Sequence, residues 1–120
     1  MTDAAEPPVE PVAELLSLTE TSERMGVGPT GVRALIKEGG LLALRREGVG
    51  LVVPADQLDG PVPVKHLRPV LTLLRDARYS DEEALRWLTT ADDSLPGTPL
   101  QALHENRATE VKRRAQALGF

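Results

Sequence analysis

The spacing of apolar and capping residues near the start of the chain predicts a first short helix. Ser17 and Glu20 have the spacing of a capping box, and the apolar Leu16 comes just before them. The helix is expected to run to about Met25, because the Gly-Val-Gly segment 26–28 breaks the pattern. We therefore expect ordered structure to begin near residue 15.

A second helix is predicted to begin at Pro29, since the first helical position does not need the N–H that proline lacks. Val32, Leu35 and Ile36 recur at i, i+3, i+4 spacing and form its expected buried stripe. The two glycines at 39 and 40 end the pattern. The result is a helix, a tight glycine turn and another helix.

Residues 41–54 read LLALRREGVGLVVP, two apolar runs on either side of a Glu47-Gly48 turn, which predicts a β-hairpin. The expected pairing sets Leu42 and Leu44 opposite Leu51 and Val53. Pro54 closes the second strand, and residues 56–58 are predicted to form a short helical turn.

The segment 59–63, Asp-Gly-Pro-Val-Pro, has the density of chain breakers typical of a boundary. Beyond it the pattern predicts helices only. The first is expected from His66 to about Ala77, the second follows a capping box of Ser80 and Glu83, and the last begins at Thr98 after a loop, with a bend near Asn106. The apolar face expected for the first of these comprises Leu67, Val70, Leu71 and Leu74, and that of the second comprises Ala84, Leu85, Trp87 and Leu88.

The predicted fold is therefore mostly α with a small β-hairpin wing, a winged helix-turn-helix followed by a C-terminal helical subdomain. Residues 1–13 are expected to be a disordered acidic tail, 14–60 the winged helix-turn-helix, and 64–120 the C-terminal helical domain. Leu, Val, Ile and Ala must build the core, because only 2% of the 120 residues are aromatic.

The net charge of −4 argues at first against a nucleic-acid ligand, but it is unevenly distributed. Asp3, Glu6, Glu10 and Glu14 account for all of it, and the chain from residue 17 onward is neutral. The N-terminus lacks the pattern of a secretory signal and no apolar stretch is long enough for a membrane span, so a cytoplasmic protein is the default expectation. The chain has no cysteine, which excludes disulfides and thiolate metal sites.

The order of helix, turn, helix and hairpin is that of a winged helix-turn-helix, whose second helix enters a major groove about 12 Å wide. With the apolar stripe turned inward, Thr30, Arg33 and Lys37 share the exposed side of that helix. The guanidinium of Arg33 matches the O6 and N7 atoms of guanine, whereas Thr30 suits phosphate or a thymine methyl and Lys37 suits phosphate.

Arg45 and Arg46 lie on the predicted hairpin, where alternation sends one of the two side chains outward, toward the DNA backbone or minor groove. A second basic cluster, Lys112 to Arg114, lies near the end of the last helix, where cations stabilise the helix dipole whatever the function.

Candidate catalytic groups are few. His66 and His104 lie far apart in the sequence, with no third residue at metal-ligand spacing and no phosphate-binding loop. No enzyme activity, metal or cofactor is therefore expected.

Residues 17–58 resemble the MerR and excisionase-like DNA-binding domain in their helix ending in Gly-Val, their second helix ending in Glu-Gly, and their short Arg-bearing hairpin ending in Val-Pro. Two further stretches, LTLLRDARYSDEEALRWLTTADDSL and ALHENRATEVKRRAQALGF, are similar to the C-terminal domain of the mycobacterial winged-helix family whose members are substrates of the Ser/Thr kinase PknL. The resemblance implies an actinobacterial DNA-binding protein, either a transcriptional regulator or a nucleoid-associated binder. It also implies that a Ser/Thr kinase phosphorylates a threonine of the N-terminal tail, where the only candidate is Thr2.

The start of the second helix departs from the pattern of many relatives. Gly28-Pro29 replaces Ser or Arg there, and Gly31 has no side chain to offer to DNA, so modest sequence specificity is expected. Dimerisation through the C-terminal helices would compensate for it. The alternative is a protein-interaction module, antitoxin-like or adaptor, whose C-terminal helices bind a protein partner. The two hypotheses make different predictions. For a DNA-binding regulator, DNA affinity should fall with salt and be lost when Arg33 and Arg46 are replaced, whereas a protein-interaction module should be indifferent to both changes.

Overall fold

The computed structural model describes residues 14–119, so the predicted tail, including Thr2, lies outside the described residues. Five strands, six helices and one 3-10 turn are found among these residues. The strands are β1 (Leu15–Ser17), β2 (Leu44–Arg46), β3 (Gly50–Pro54), β4 (Leu58–Asp59) and β5 (Val62–Pro63), and the 3-10 turn is Ala55–Gln57. The helices are α1 (Leu18–Met25), α2 (Pro29–Lys37), α3 (Leu67–Asp76), α4 (Asp81–Leu88), α5 (Pro99–His104) and α6 (Ala108–Ala117).

The predicted class, a winged helix-turn-helix with a helical C-terminal part, is confirmed. Three helices begin at the expected caps. Ser17, Ser80 and Thr98 each accept a hydrogen bond from the backbone N–H three residues later, and the side chain of that later residue accepts one from the cap's own N–H. The last helix, expected to bend near Asn106, is instead interrupted there: Asn106 has a φ of 63° and separates α5 from α6. Caps are local signals, which is why the sequence located these helices well.

The wing belongs to a three-stranded antiparallel sheet in the order β1-β3-β2. Strand β1 was not predicted; it places Leu16 beside Val53 and ties the entry to α1 to the wing. The predicted pairing of the hairpin was wrong by one residue, because Leu44 pairs with Val52 rather than with Leu51. The loop holds three residues instead of two, and both Gly48 and Gly50 adopt positive φ, as this longer turn requires.

The segment 59–63, predicted to be a linker, forms part of the small β4–β5 hairpin. The hydrophobic core passes across this boundary without interruption. It joins residues of the wing region, such as Leu42 and Val53, to the buried face of α3 and to α6. The four α3 residues predicted to face inward are all buried, namely Leu67, Val70, Leu71 and Leu74.

Trp87, predicted to lie on the apolar face of the second C-terminal helix, is only partly buried and packs against the core. The centre of that region is formed instead by smaller side chains, among them Leu74, Leu88 and Leu95, each with no exposed surface. A short loop, residues 89–98, brings Leu95 inward, and the periodicity of α4 gave no indication of this.

Candidate nucleic-acid interface

The turn between α1 and α2 is closed by its own backbone. Gly26 adopts a left-handed conformation, with φ of 72°, and its N–H donates to the carbonyl of Ser22 at 2.9 Å. The N–H of Val27 donates to the same carbonyl, and the hydroxyl of Ser22 donates to the carbonyl of Val27. This compact turn fixes where α2 begins relative to α1.

Helix α2 buries one side and exposes the other, as its sequence pattern predicts. Val32 has no exposed surface, and Leu35 and Ile36 are partly buried against the core. The side chains of Thr30, Arg33 and Lys37 are all exposed. The structure thus brings these three candidate residues together on the solvent side of one helix, although their contacts with a ligand stay a prediction.

No side chain caps the N-terminus of α2. Gly28 is the N-cap residue and offers no side-chain acceptor, and Pro29 at the first helical position has no N–H. The N–H groups of the first turn and the positive end of the helix dipole are therefore available to an anion. Thr30 lies at this end of the helix.

The two wing arginines differ in their surroundings. Arg45 is exposed and lies opposite Leu51 in the hairpin. Arg46 points toward the C-terminal helices instead, where its Nη1 lies 2.9 Å from Oε2 of Glu82 in α4. Both partners keep much of their surface, 41% for Arg46 and 57% for Glu82, so this ion pair is weak in water and can exchange for another anion.

Arg24 is a further cation near the turn between α1 and α2, and no sequence pattern identified it as a candidate. It lies in the last turn of α1, is exposed, and donates from Nε to the carbonyl of Gly60 at 3.3 Å. The β4–β5 hairpin therefore contacts the helix-turn-helix. Only the folded chain shows this proximity, because 36 residues separate the two partners.

One member of the C-terminal basic cluster, Arg114, makes contacts within the fold. Arg114 donates to the carbonyl and to the hydroxyl of Ser94, at 2.6 and 3.0 Å, and also lies near Asp92. Backbone and side-chain hydrogen bonds from Ser94, and then the charge of Arg114, lower the pKa of Asp92 below its ordinary value. Arg114 thus fastens the loop before α5, whereas Arg113 is exposed.

The two histidines have separate places in the described part of the chain. His104 donates from Nε2 to the carbonyl of Asp56 at 2.6 Å, which ties α5 to the 3-10 turn. His66 precedes α3 in a left-handed conformation. Among residues 14–119, no cluster of three potential metal ligands is found. In the same residues, no helix has the length and apolar character that crossing a membrane requires.

Two helices joined by a tight turn, followed by a hairpin, define a winged helix-turn-helix protein, and comparison with known proteins identifies the family. Residues 2–58 match the family model described as "DNA-binding protein Rv2175c, wHTH domain", and residues 64–119 match the "Rv2175c C-terminal domain of unknown function". The chain belongs to this family.

A curated relative, the DNA-binding protein Rv2175c of Mycobacterium tuberculosis, is 38% identical over 126 aligned positions, which cover 93% of this chain and 85% of the relative. The NMR structure of Rv2175c superimposes with a TM-score of 0.82 and 36% identity, and with the same coverage of each chain. These descriptions name a DNA-binding protein and not an enzyme, in agreement with the expectation that the chain is not an enzyme. The likeness to MerR and excisionase proteins stays a prediction.

Proposed function

We propose that this chain binds double-stranded DNA, with α2 in the major groove and the β2–β3 wing on the DNA backbone. The observation that carries the proposal is the exposed face of α2, on which Thr30, Arg33 and Lys37 lie beside an N-terminus that no side chain caps. Support also comes from the relative, which is itself named a DNA-binding protein.

Each of these residues has a distinct role in the proposal. Arg33 reads a guanine edge with its planar fork of donors, because it lies on the solvent side of α2 and within its middle turn. Lys37 contacts a phosphate farther along the groove. Thr30 and the free N–H groups of the first turn hold a phosphate at the helix N-terminus.

The wing supplies its own phosphate contact through Arg45, which is exposed and unencumbered by any ion pair among residues 14–119. Arg46 can contact a phosphate as well only if its ion pair with Glu82 breaks. Since the N–O contact of that pair is exposed to solvent, the exchange for a phosphate costs little free energy.

Fluorescence anisotropy with a duplex of mixed sequence, across a range of salt concentrations, tests the proposal. We expect the logarithm of the association constant to fall with the logarithm of salt with a slope of about −3, for about three to four phosphate contacts. Lys37→Gln and Arg45→Gln should each make that slope shallower by about one contact. Arg33→Gln should weaken binding by about 1–3 kcal/mol and relax the preference for one base pair.

Arg113→Gln is the matched control, because it removes one exposed cation from α6, outside the winged helix. It should leave the slope unchanged. If the wild-type chain shows no salt-dependent binding, or if Arg113→Gln has the same effect as Arg45→Gln, the proposed interface is wrong.

A finer assignment, to a transcriptional regulator or a nucleoid-type binder in the cytoplasm, is part of the same proposal. Selection of bound fragments from a genomic pool separates the two, because a regulator enriches a few sites and a nucleoid-type binder enriches none. Phosphorylation of Thr2 by a Ser/Thr kinase and self-association through the C-terminal helices stay predictions. Thr2 lies outside the described residues.

A further inference from the structure

Two arginines of α3 reach across to the C-terminal end of α2. Arg68 donates from Nη1 to the carbonyl of Glu38 at 2.9 Å, and its Nη2 lies 3.7 Å from Oε1 of the same residue. About two turns farther along α3, Arg75 donates from Nη1 to the carbonyl of Gly39 at 3.4 Å, a long bond. Both acceptors belong to the residues that end α2, Glu38 being its C-cap.

The glycine pair after α2 makes room for these guanidinium groups. Gly39 has a φ of 86°, and a Cβ built on it would lie 2.7 Å from Nη1 of Arg75. A Cβ on Gly40 would lie 2.8 Å from Nη2 of Arg68 and 2.5 Å from Cδ1 of Leu35. The Gly-Gly sequence that predicts the end of the helix thus also allows α3 to approach it closely.

This contact suits the chemistry of a helix end. The last carbonyls of a helix lack intrahelical partners and carry the negative end of the dipole, so cations there are stabilised. A guanidinium has a planar set of donors and fixes direction as well as distance. Two such groups on one neighbouring helix therefore restrict how α2 can tilt.

We propose that Arg68 and Arg75 are positioning residues through which the C-terminal domain sets the orientation of α2. This inference rests on the proposed function, in which α2 enters the major groove. The tilt of α2 decides whether Arg33 and Lys37 meet base edges and phosphate at the same time as the wing meets the backbone. The C-terminal domain of this family, described as of unknown function, acquires in this way a role in DNA recognition.

The test uses the full chain and two readouts. The first is the direction of the α2 N–H bonds relative to those of α3, measured without DNA by residual dipolar couplings. The second is DNA affinity and its salt slope. For Arg68→Gln combined with Arg75→Gln, we expect altered α2 couplings and an affinity about threefold to tenfold lower, with the salt slope unchanged because neither residue touches phosphate.

Gly40→Ala removes no charge, and its Cβ would lie 2.8 Å from Nη2 of Arg68 and 2.5 Å from Cδ1 of Leu35, so it displaces the guanidinium and also a side chain of α2 itself. Altered α2 couplings and lower affinity in this variant, at unchanged charge, separate a change in α2 orientation from a general loss of positive charge, and Arg68→Lys, which leaves Leu35 in place, assigns the effect to the guanidinium. Arg68→Lys keeps the charge and one donor, and should retain part of the affinity; it also serves if the double variant does not fold. Arg113→Gln, the charge control on α6, should change neither readout.

Several results would overturn the inference. Unchanged α2 couplings in the arginine variants and in Gly40→Ala would show that α2 is held by the core alone. A salt slope that becomes shallower in Arg68→Gln would make Arg68 a phosphate contact instead. If the wild-type chain binds no DNA, the proposed function fails, while the couplings still decide whether the two arginines orient α2.

Discussion

Gln57 offers the sharpest test of how the wing is held to the rest of the fold, because it is polar and has no exposed surface. Its Oε1 accepts from the N–H of Leu42 at 2.6 Å, and its Nε2 donates to the carbonyls of Leu42 and Pro54 at 2.8 and 3.2 Å. The side-chain amide thus pairs with Leu42 as a neighbouring strand would. It joins the 3-10 turn after the wing to the segment before it.

Gln57→Leu keeps much of the volume and removes all three hydrogen bonds. Each buried backbone group left without a partner costs about 1–3 kcal/mol, and burial of the leucine side chain returns about 2 kcal/mol. For the three groups together the net loss in the free energy of unfolding is about 1–7 kcal/mol, out of about 5–15 kcal/mol for a domain of this kind. At about 4 °C per kcal/mol, the melting temperature should fall by roughly 4–28 °C.

Urea unfolding measures this loss, followed by far-UV circular dichroism and by the fluorescence of Trp87, the single tryptophan. Gln116→Leu makes the same chemical change at an exposed position of α6 and should alter the free energy of unfolding by no more than about 0.5 kcal/mol. If Gln57→Leu proves as harmless as that control, the buried amide adds no net stability, and the reasoning from unpaired backbone groups is refuted.

Three further changes have definite expected outcomes. Gly31→Ala should stabilise the protein by about 0.5–1 kcal/mol in urea unfolding, because helical alanine is favoured over glycine and the new Cβ would lie at an ordinary 3.5 Å from the side chain of Val27; a lower stability would contradict this. Glu82→Gln should tighten DNA binding about twofold to fivefold at low salt by releasing Arg46, whereas weaker binding in the anisotropy assay would mean that the ion pair holds the wing in place. Hydrogen bonds from the backbone and then the side chain of Ser80 lower the pKa of Glu83. The stability that this carboxylate contributes is therefore present above its unfolded-state pKa and is lost as the pH falls through its folded-state pKa. Glu83→Gln keeps a capping box without the titration, and its urea midpoint should therefore fall less between about pH 7 and about pH 3 than that of the wild type; equal losses would exclude the carboxylate as the cause.

The elements that the sequence predicted well are those defined by neighbours in the chain. The capping boxes at Ser17 and Ser80 and the apolar face of α3 each depend on residues three or four positions apart. Pairing in the wing depends instead on which residues the turn contains. A valine at position 49 gave no sign that it would enter the loop, where 69% of its surface is exposed.

The candidate interface shows the same division. The exposed face of α2 follows from helical periodicity alone, so Thr30, Arg33 and Lys37 could be selected without a structure. The direction of Arg46 could not, because its partner Glu82 lies 36 residues away in another helix. Long-range contacts of this kind have no local sequence pattern. The hydrogen bonds from Arg68 and Arg75 of α3 to the end of α2 could not be predicted for the same reason.

The uninterrupted core limits how the two halves of this chain can be separated or exchanged. A fragment ending near Gly60 would leave Leu42, Val53 and Leu58 without the α3 residues that now belong to the same buried cluster. Such a fragment would expose an apolar surface that favours aggregation. A chimaera that joins this winged helix to a relative's C-terminal half must match side-chain volumes across the junction. Among related sequences, substitutions of buried residues in the winged helix are therefore expected to occur together with compensating substitutions in the C-terminal helices.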